Sequence, residues 1–475
     1  MDILIKNALI LTMTGKGVGA ISEGYLGITG NKITAVGPSI ELPAQAMEKV
    51  KTVIDARGKV VMPGLIDGHI HAMLTLFRGL AQDMDDWMHY GLAPYLSNLT
   101  EAAAISGAAL AAVEALKNGT TTLIDFGFPM PSICRIYEEI GLRARVASLI
   151  TAVPIQMEDL PPGELYSFDE AQGELLFYQN LALIEEWHNQ AGGRITCVLG
   201  PQGPDMIPRE LLLRIKQAAE DLGVMIHMHV AQGDRETYQI AKRFNCRSIP
   251  YLHQLGLIDK NLLAIHLTEA TEEEIAIVAE NGVAMVCCPA SIAIIDGIVP
   301  PLVSFLEHGG RAALGSDQAP GNNSHNLWNE MKLAALLNKV RYRDPKVLPA
   351  WKALRLATVE GARAVGLGDQ VGSLEPGKLA DLIIVDLQQP GLVPYLEYPV
   401  RNVVPNLVYA ARGHEVETVI IDGRMVIENR RLMTMDEEAI VSQAQEAARS
   451  CAAESATKIL ALNKGPAAMM HDGLI

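Results

Sequence analysis

Between residues 61 and 316 the chain alternates short apolar runs with amphipathic stretches, and that alternation narrows the choice of fold more than any other feature. The runs fall near 61–71, 120–126, 143–152, 194–200, 224–230, 262–267, 283–287 and 311–316. Their length and flanking turn residues predict strands, while segments such as Glu101 to Lys117, Arg209 to Leu222 and Glu272 to Glu280 carry helical spacing between them. Eight strands alternating with helices predict a parallel (β/α)8 TIM barrel in an α/β chain, with its chemistry at the C-terminal ends of the strands.

The ends of the chain read differently. Residues 1 to about 60 and 366–433 are rich in short β runs, with hairpin signals at Gly30-Asn31 and Asp422-Gly423. Each set is too small to be stable alone, so the expectation is one small β-sandwich domain built from both chain ends, 1–60 with 366–433. The barrel then occupies 61–365, and 434–475 forms a C-terminal helical segment and tail.

Polar residues that bind metals sit where barrel chemistry belongs. The first run carries His69 and His71, and side chains two apart on a strand share a face. The fifth carries His227 and His229, the sixth ends at His266, and the eighth ends at Asp317. Neutral imidazole suits zinc and iron alike, and four coincidences at strand ends outweigh the alternative of core histidines and a capping aspartate.

Composition sets limits on partners. A formal charge of −16 over 475 residues opposes binding to a phosphate backbone, so no nucleic-acid partner is expected. There is no uninterrupted apolar run of membrane-spanning length, and the start lacks a basic region followed by a cleavable apolar stretch. Six scattered cysteines (134, 197, 246, 287, 288 and 451) lack C-x-x-C spacing. Together these predict a soluble, cytoplasmic protein with reduced thiols.

Taken together, Pro63-Gly64-Leu65-Ile66-Asp67-Gly68-His69-Ile70-His71, Asn118-Gly119-Thr120-Thr121-Thr122, His227-Met228-His229, His266, Gly315-Ser316-Asp317 and Gly377-Lys378-Leu379-Ala380-Asp381-Leu382 resemble the amidohydrolase superfamily. The resemblance is to the branch of triazine hydrolases and of S-adenosylhomocysteine/methylthioadenosine-type and guanine-type deaminases, and it covers nearly the whole chain. It implies one divalent metal, zinc first and iron second, held by His69, His71, His229 and Asp317. The absence of a lysine at the fourth strand's end favours one metal over two. By the same resemblance, Asp317 takes a proton from water that the metal activates, and His266 polarises the substrate. Relatives are commonly dimers or larger, which makes a homo-oligomer the expectation.

Two positions depart from the family pattern. Gln232 stands where the branch usually has a glutamate that protonates the substrate ring, and Gln202 where adenosine-type deaminases have a histidine. An amide cannot exchange a proton near neutral pH. Either Gln232 only binds the substrate and the proton takes another route, or the site is impaired. Asp234 and Glu236 are nearby carboxylates whose simpler reading is solvated residues opening the next helix. His227 reads as a supporting histidine, His325 as one close to the pocket, and Cys287-Cys288 as packing.

Trp87, on the loop after the first strand, is placed to contact a planar ring, and Gln202 and Asn322 are further candidates for substrate contact. The expected activity is hydrolysis of a C–N bond on an N-heteroaromatic ring such as an s-triazine, pyrimidine or purine, in a small-molecule substrate. Alternatives are chlorohydrolysis of a halogenated triazine, hydrolysis of a cyclic or acyclic amide, and a catalytically impaired binding protein.

Overall fold

A computed structural model describes residues 1–43, 50–153 and 163–475. The barrel strands are Leu65–Ile70, Thr120–Gly127, Arg143–Ile150, Ile195–Cys197 with Gly200–Pro201, Ile226–Val230, Leu262–His266, Ala284–Cys287 and Arg311–Leu314. They pair in parallel as two runs, first to fourth and fifth to eighth. Bridges Leu199–Ile226 and Ile70–Asp317 join the runs and close the ring. Closure depends on Gly315, where a β-carbon would lie 3.0 Å from the His69 amide nitrogen and 2.9 Å from a Val286 methyl. Only a residue without a side chain lets the eighth strand pass that near the first.

The helices form where the spacing predicts. Helix Glu101–Lys117 starts at Thr100, whose hydroxyl accepts from the Ala103 amide, and its alanine-rich face is buried. Helix Arg209–Leu222 stops at Gly223, in the left-handed region. Helix Glu272–Glu280 opens on a reciprocal capping box between Thr271 and Glu274. Inside the barrel, Ile66, Ile124, Leu263, Ile265, Val286 and Ala313 form an apolar plug, continued by Ala362, Val365 and Leu367.

Both chain ends contribute to a second, nine-stranded mixed sheet. Strand Ile3–Leu11 lies near its middle, antiparallel to Ala20–Thr29 and parallel to Lys59–Pro63, which pairs in turn with Leu382–Asp386. One face closes on its own core of Ile5, Ile10, Leu26, Ile28, Leu382 and Ile420. The turn at Asp422-Gly423 has both residues at positive φ, as a tight hairpin requires.

The apolar run 61–71 is two strands, not one. Lys59–Pro63 belongs to the end sheet and Leu65–Ile70 to the barrel. Gly64 separates them, and a β-carbon there would fall 2.1 Å from the Thr121 side chain. Hydrophobicity alone could not expose the break, because the chain is buried on both sides of it, from Val60 to Ile70.

Barrel and end sheet are locked together at Arg143. Its guanidinium donates to both oxygens of Asp381, at 2.6 and 3.1 Å, and Asp422 approaches to 3.6 Å. Arg143 and Asp381 are each 2% exposed. A long helix, Glu437–Leu462, lies across Glu101–Lys117, and Lys117 pairs with Glu437. A short helix, Pro466–His471, follows in what reads in the sequence as tail.

Candidate metal centre and cavity

His69 is inside the first barrel strand and His71 just past its end, both buried. His229 lies in the fifth strand, His266 ends the sixth, and Asp317 follows the eighth. Backbone pairing therefore carries five distant residues to one rim. The Oδ1 of Asp317 lies 3.4 Å from His69 Nε2 and 3.8 Å from His71 Nε2, while Oδ2 lies 3.9 Å from His266 Nε2. Two triads, His69–His229–His266 and His69–His71–Asp317, have their donor atoms within 4.8 Å of one another.

Four of these five side chains, all but His266, have their orientation fixed from behind. The Nδ1 of His71 bonds to the Phe126 carbonyl at 2.8 Å, and that of His229 to the Gln202 carbonyl at 2.7 Å. A carbonyl can only accept, so both rings carry the proton on Nδ1 and turn a bare Nε2 to the centre. His69 Nδ1 lies 3.1 Å from His227 Nε2, which gives His227 the supporting place that its sequence position suggests. Ser291 donates to Asp317 Oδ2 at 2.5 Å, leaving Oδ1 turned to the histidines.

Buried polar groups remain unpaired here. His69 Nε2 and both ring nitrogens of His266 have no partner, although each is enclosed. Three imidazoles and a carboxylate are a donor set that zinc takes, and at its bond lengths tetrahedral donors stand about 3.3–3.5 Å apart. The 3.4 Å between His69 and Asp317 matches, so the residues fit the metal. Backbone strain gathers at the same rim: Ala231, His266, Leu267 and Asp317 all have positive φ, between 52° and 77°.

Electrostatics divide the labour. Burial pushes His266 down to about 3 and His71 down to about 4, so both are neutral at pH 7. Burial would raise the Asp317 carboxyl, but His69, whose Nε2 approaches to 3.4 Å, and the neighbouring His266 and His71 hold it well below the usual range. Behind the rim, Asp67 accepts from the Ser316 hydroxyl at 2.6 Å and is pushed up to about 6 by burial.

The centre opens into a cavity of about 950 Å³ including its solvent-open mouth. Leu74, Trp87, Leu92, Phe126, Leu149 and Met206 give it apolar walls; Gln202, Gln232, Arg235 and Gln318 interrupt them. Trp87 and Gln232 also line an outer vestibule with Asp86, Tyr166, Asp234, Tyr238 and Asp296.

Of the residues singled out in the sequence, the geometry brings His69, His71, His229, His266, Asp317, Gln232, Gln202 and Trp87 to one place. Asn322 is elsewhere: its amide donates to the Ser316 carbonyl at 2.6 Å and to Glu330 at 2.9 Å, and it takes no part in the cavity wall. His325 is buried between Ser316 and Thr75, outside the wall. Glu236 is not solvated but 1% exposed, accepting from the amides of Ala231 and Gln232 at 2.8 and 3.0 Å. Sequence reading missed Ser291 and Arg235. A helical i, i+3 spacing from Gln232 was the signal for Arg235; nothing marks Ser291.

A model of the amidohydrolase family matches residues 60–426. The chain is 36% identical to a 5-methylthioadenosine/S-adenosylhomocysteine deaminase of Moorella thermoacetica over 93% of its own length and 97% of the relative's. It is 35% identical to a 5'-deoxyadenosine deaminase of Methanosarcina mazei, over 95% and 99%. Among solved structures, a zinc-bound adenosine deaminase from Xanthomonas campestris superposes with a TM-score of 0.86 at 28% identity, covering 95% of this chain and 99% of that one.

Proposed function

Since the chain belongs to the amidohydrolase family, we propose that it is a metal-dependent hydrolase of small N-heteroaromatic compounds, cleaving a C–N bond at a ring carbon and releasing ammonia or an amine. The observation that carries the reading is the meeting of Asp317 with His69 and His71 while His69 Nε2 stays unpaired in a buried rim. In this reading His69, His71, His229 and Asp317 hold one divalent metal, zinc before iron. Such an ion makes a hydroxide nucleophile available at neutral pH.

The chain's own residues do the rest. Asp317, kept ionised, accepts the proton that water gives up and passes it to the leaving nitrogen. His266 stays neutral and so donates a hydrogen bond to charge that builds up at the reacting carbon's substituent. Trp87 with the apolar walls takes the face of the ring and excludes water, and Gln202 and Gln232 bind its polar edge. These roles belong to the barrel, which we take as residues 61–365, with 1–60 and 366–433 as the flanking domain.

We also take the protein to be a cytoplasmic homo-oligomer. Among the described residues no single helix is long and apolar enough to cross a membrane. Leu336, Val340 and Trp351, on adjoining helices, expose apolar side chains of the kind that a subunit contact covers.

Purified protein is expected to hold about one zinc or iron per chain and to release ammonia from at least one member of a panel of aminated triazines, pyrimidines and purines. Metal well below one per chain that reconstitution does not raise, with no ammonia from the panel, overturns the reading.

A further inference from the structure

The cavity wall is short of acids. Its ionisable members among the described residues are His71, His229, His266, Asp317 and Arg235. Of these, His71, His229 and Asp317 belong to the proposed metal centre, Asp317 also being its proton acceptor, and His266 is the hydrogen-bond donor beside it. Arg235 is fixed by Asp205, Nε to Oδ2 at 3.1 Å, and a guanidinium does not release its proton.

Gln232 closes this side of the wall one residue past Ala231, whose positive φ turns the chain at the end of the fifth strand. Carboxyl groups lie near but face elsewhere. Glu236, one helical turn on, spends its two oxygens on the Ala231 and Gln232 amides and is outside the wall. Asp86, Asp234 and Asp296 line the outer vestibule only.

The proton balance follows. When water attacks an amino-substituted ring carbon, its oxygen bonds to that carbon and one hydrogen passes to Asp317. Asp317 returns it to the exocyclic nitrogen, the C–N bond breaks with its electron pair on nitrogen, and ammonia departs. The second hydrogen stays on the product hydroxyl. Atoms and charge balance without an acid at the ring nitrogen, but that nitrogen then bears the negative charge of the tetrahedral adduct. A side-chain amide meets the charge with a hydrogen bond alone, whereas a proton donor in that position contributes about 10²–10⁴-fold in rate.

Resting on the function proposed above, we infer that Gln232 restricts this enzyme to electron-poor azines, rings such as amino-s-triazines whose own nitrogens carry the adduct's charge, and selects against amino-purines that need a proton at the ring. The apolar walls around Trp87, Leu92 and Met206 suit alkyl substituents on such rings.

The test compares kcat/KM of the zinc-loaded enzyme for an alkylated amino-s-triazine, the matching aminopyrimidine, and adenosine, with ammonia as the readout, in wild type and Gln232→Glu. Wild type is expected to prefer the triazine over adenosine by at least about 100-fold, with the pyrimidine between. Gln232→Glu should raise the adenosine rate at least about tenfold and the triazine rate less, compressing the series. The wild-type ranking stands alone if the variant does not fold. Equal or better turnover of adenosine overturns the inference and leaves the C–N hydrolase reading intact; so does a Gln232→Glu enzyme slowed alike on all three. No ammonia from any of them overturns the inference, while the C–N hydrolase reading falls only if the wider panel and the metal content fail as well.

Discussion

The rim that gathers His69, His71, His229, His266 and Asp317 and the seam that joins Arg143 to Asp381 and Asp422 are both buried, charged and assembled from distant parts of the chain. They differ in how their polar atoms are satisfied. At the seam the guanidinium fork meets a carboxylate in two good hydrogen bonds, and the Asp422 amide donates to Asp381 Oδ1 at 2.8 Å. At the rim His69 Nε2 and His266 Nδ1 and Nε2 are buried without partners, and four non-glycine residues hold left-handed backbone. Completed networks give rigidity; incomplete ones hold binding capacity in reserve. The difference separates a joint from a reaction centre without reference to any relative.

Substitutions sharpen the contrast. Asp317→Asn should lower kcat/KM by about 10²–10⁴-fold while the melting temperature stays or rises, because the residue serves chemistry and not packing. Steady-state kinetics beside calorimetry decide it, and a large loss of stability would erase the distinction. The seam should behave the other way round. Asp381→Ala leaves Arg143 buried without its partner and should cost about 3–5 kcal/mol by denaturant unfolding, with kcat of the folded fraction little changed.

Ser291 probes the rim from behind. Ser291→Ala frees Asp317 Oδ2 and should reduce kcat about 10–100-fold with a smaller change in KM, and speed zinc loss to a chelator. Ser291→Thr, which keeps the hydroxyl, should recover part of both.

A pH test separates stability from chemistry at a third buried group. Burial pushes Glu330 up to about 8, above its ordinary 4.5. The folded form therefore holds a proton that the unfolded chain releases, and the stability this gives is full below pH 4.5 and lost as pH rises towards 8. Each pH unit across that window should cost wild type about 1.4 kcal/mol relative to Glu330→Gln, read from denaturation midpoints at pH 5, 6.5 and 8. Parallel curves for the two proteins would refute it.

What the sequence discloses and what it hides follow from the range of the forces involved. Periodicity is local, so the eight barrel strands and helices such as Glu101–Lys117 could be read directly, and histidines at strand ends needed only the fold class to be brought together. Gly64 escaped notice because a break with buried residues on both sides, Val60–Pro63 and Leu65–Ile70, leaves the apolar pattern unbroken. Glu236 looked solvated since helix N-termini usually are; here the turn at Ala231 folds it inward. Asn322 looked like a ligand contact because its loop follows Asp317, whereas Glu330, eight residues on, claims its amide. Ser291 reaches Asp317 only through tertiary packing, and no local pattern announces that.

Gly64 carries a mechanical corollary. The segment bearing His69 and His71 is the direct prolongation of a strand that is clamped on both edges by the end sheet and ends six residues upstream of the first imidazole. Removing the first sixty residues would thus deprive the imidazole pair of its anchorage, and the flanking sheet serves the reaction as a vice serves a workpiece.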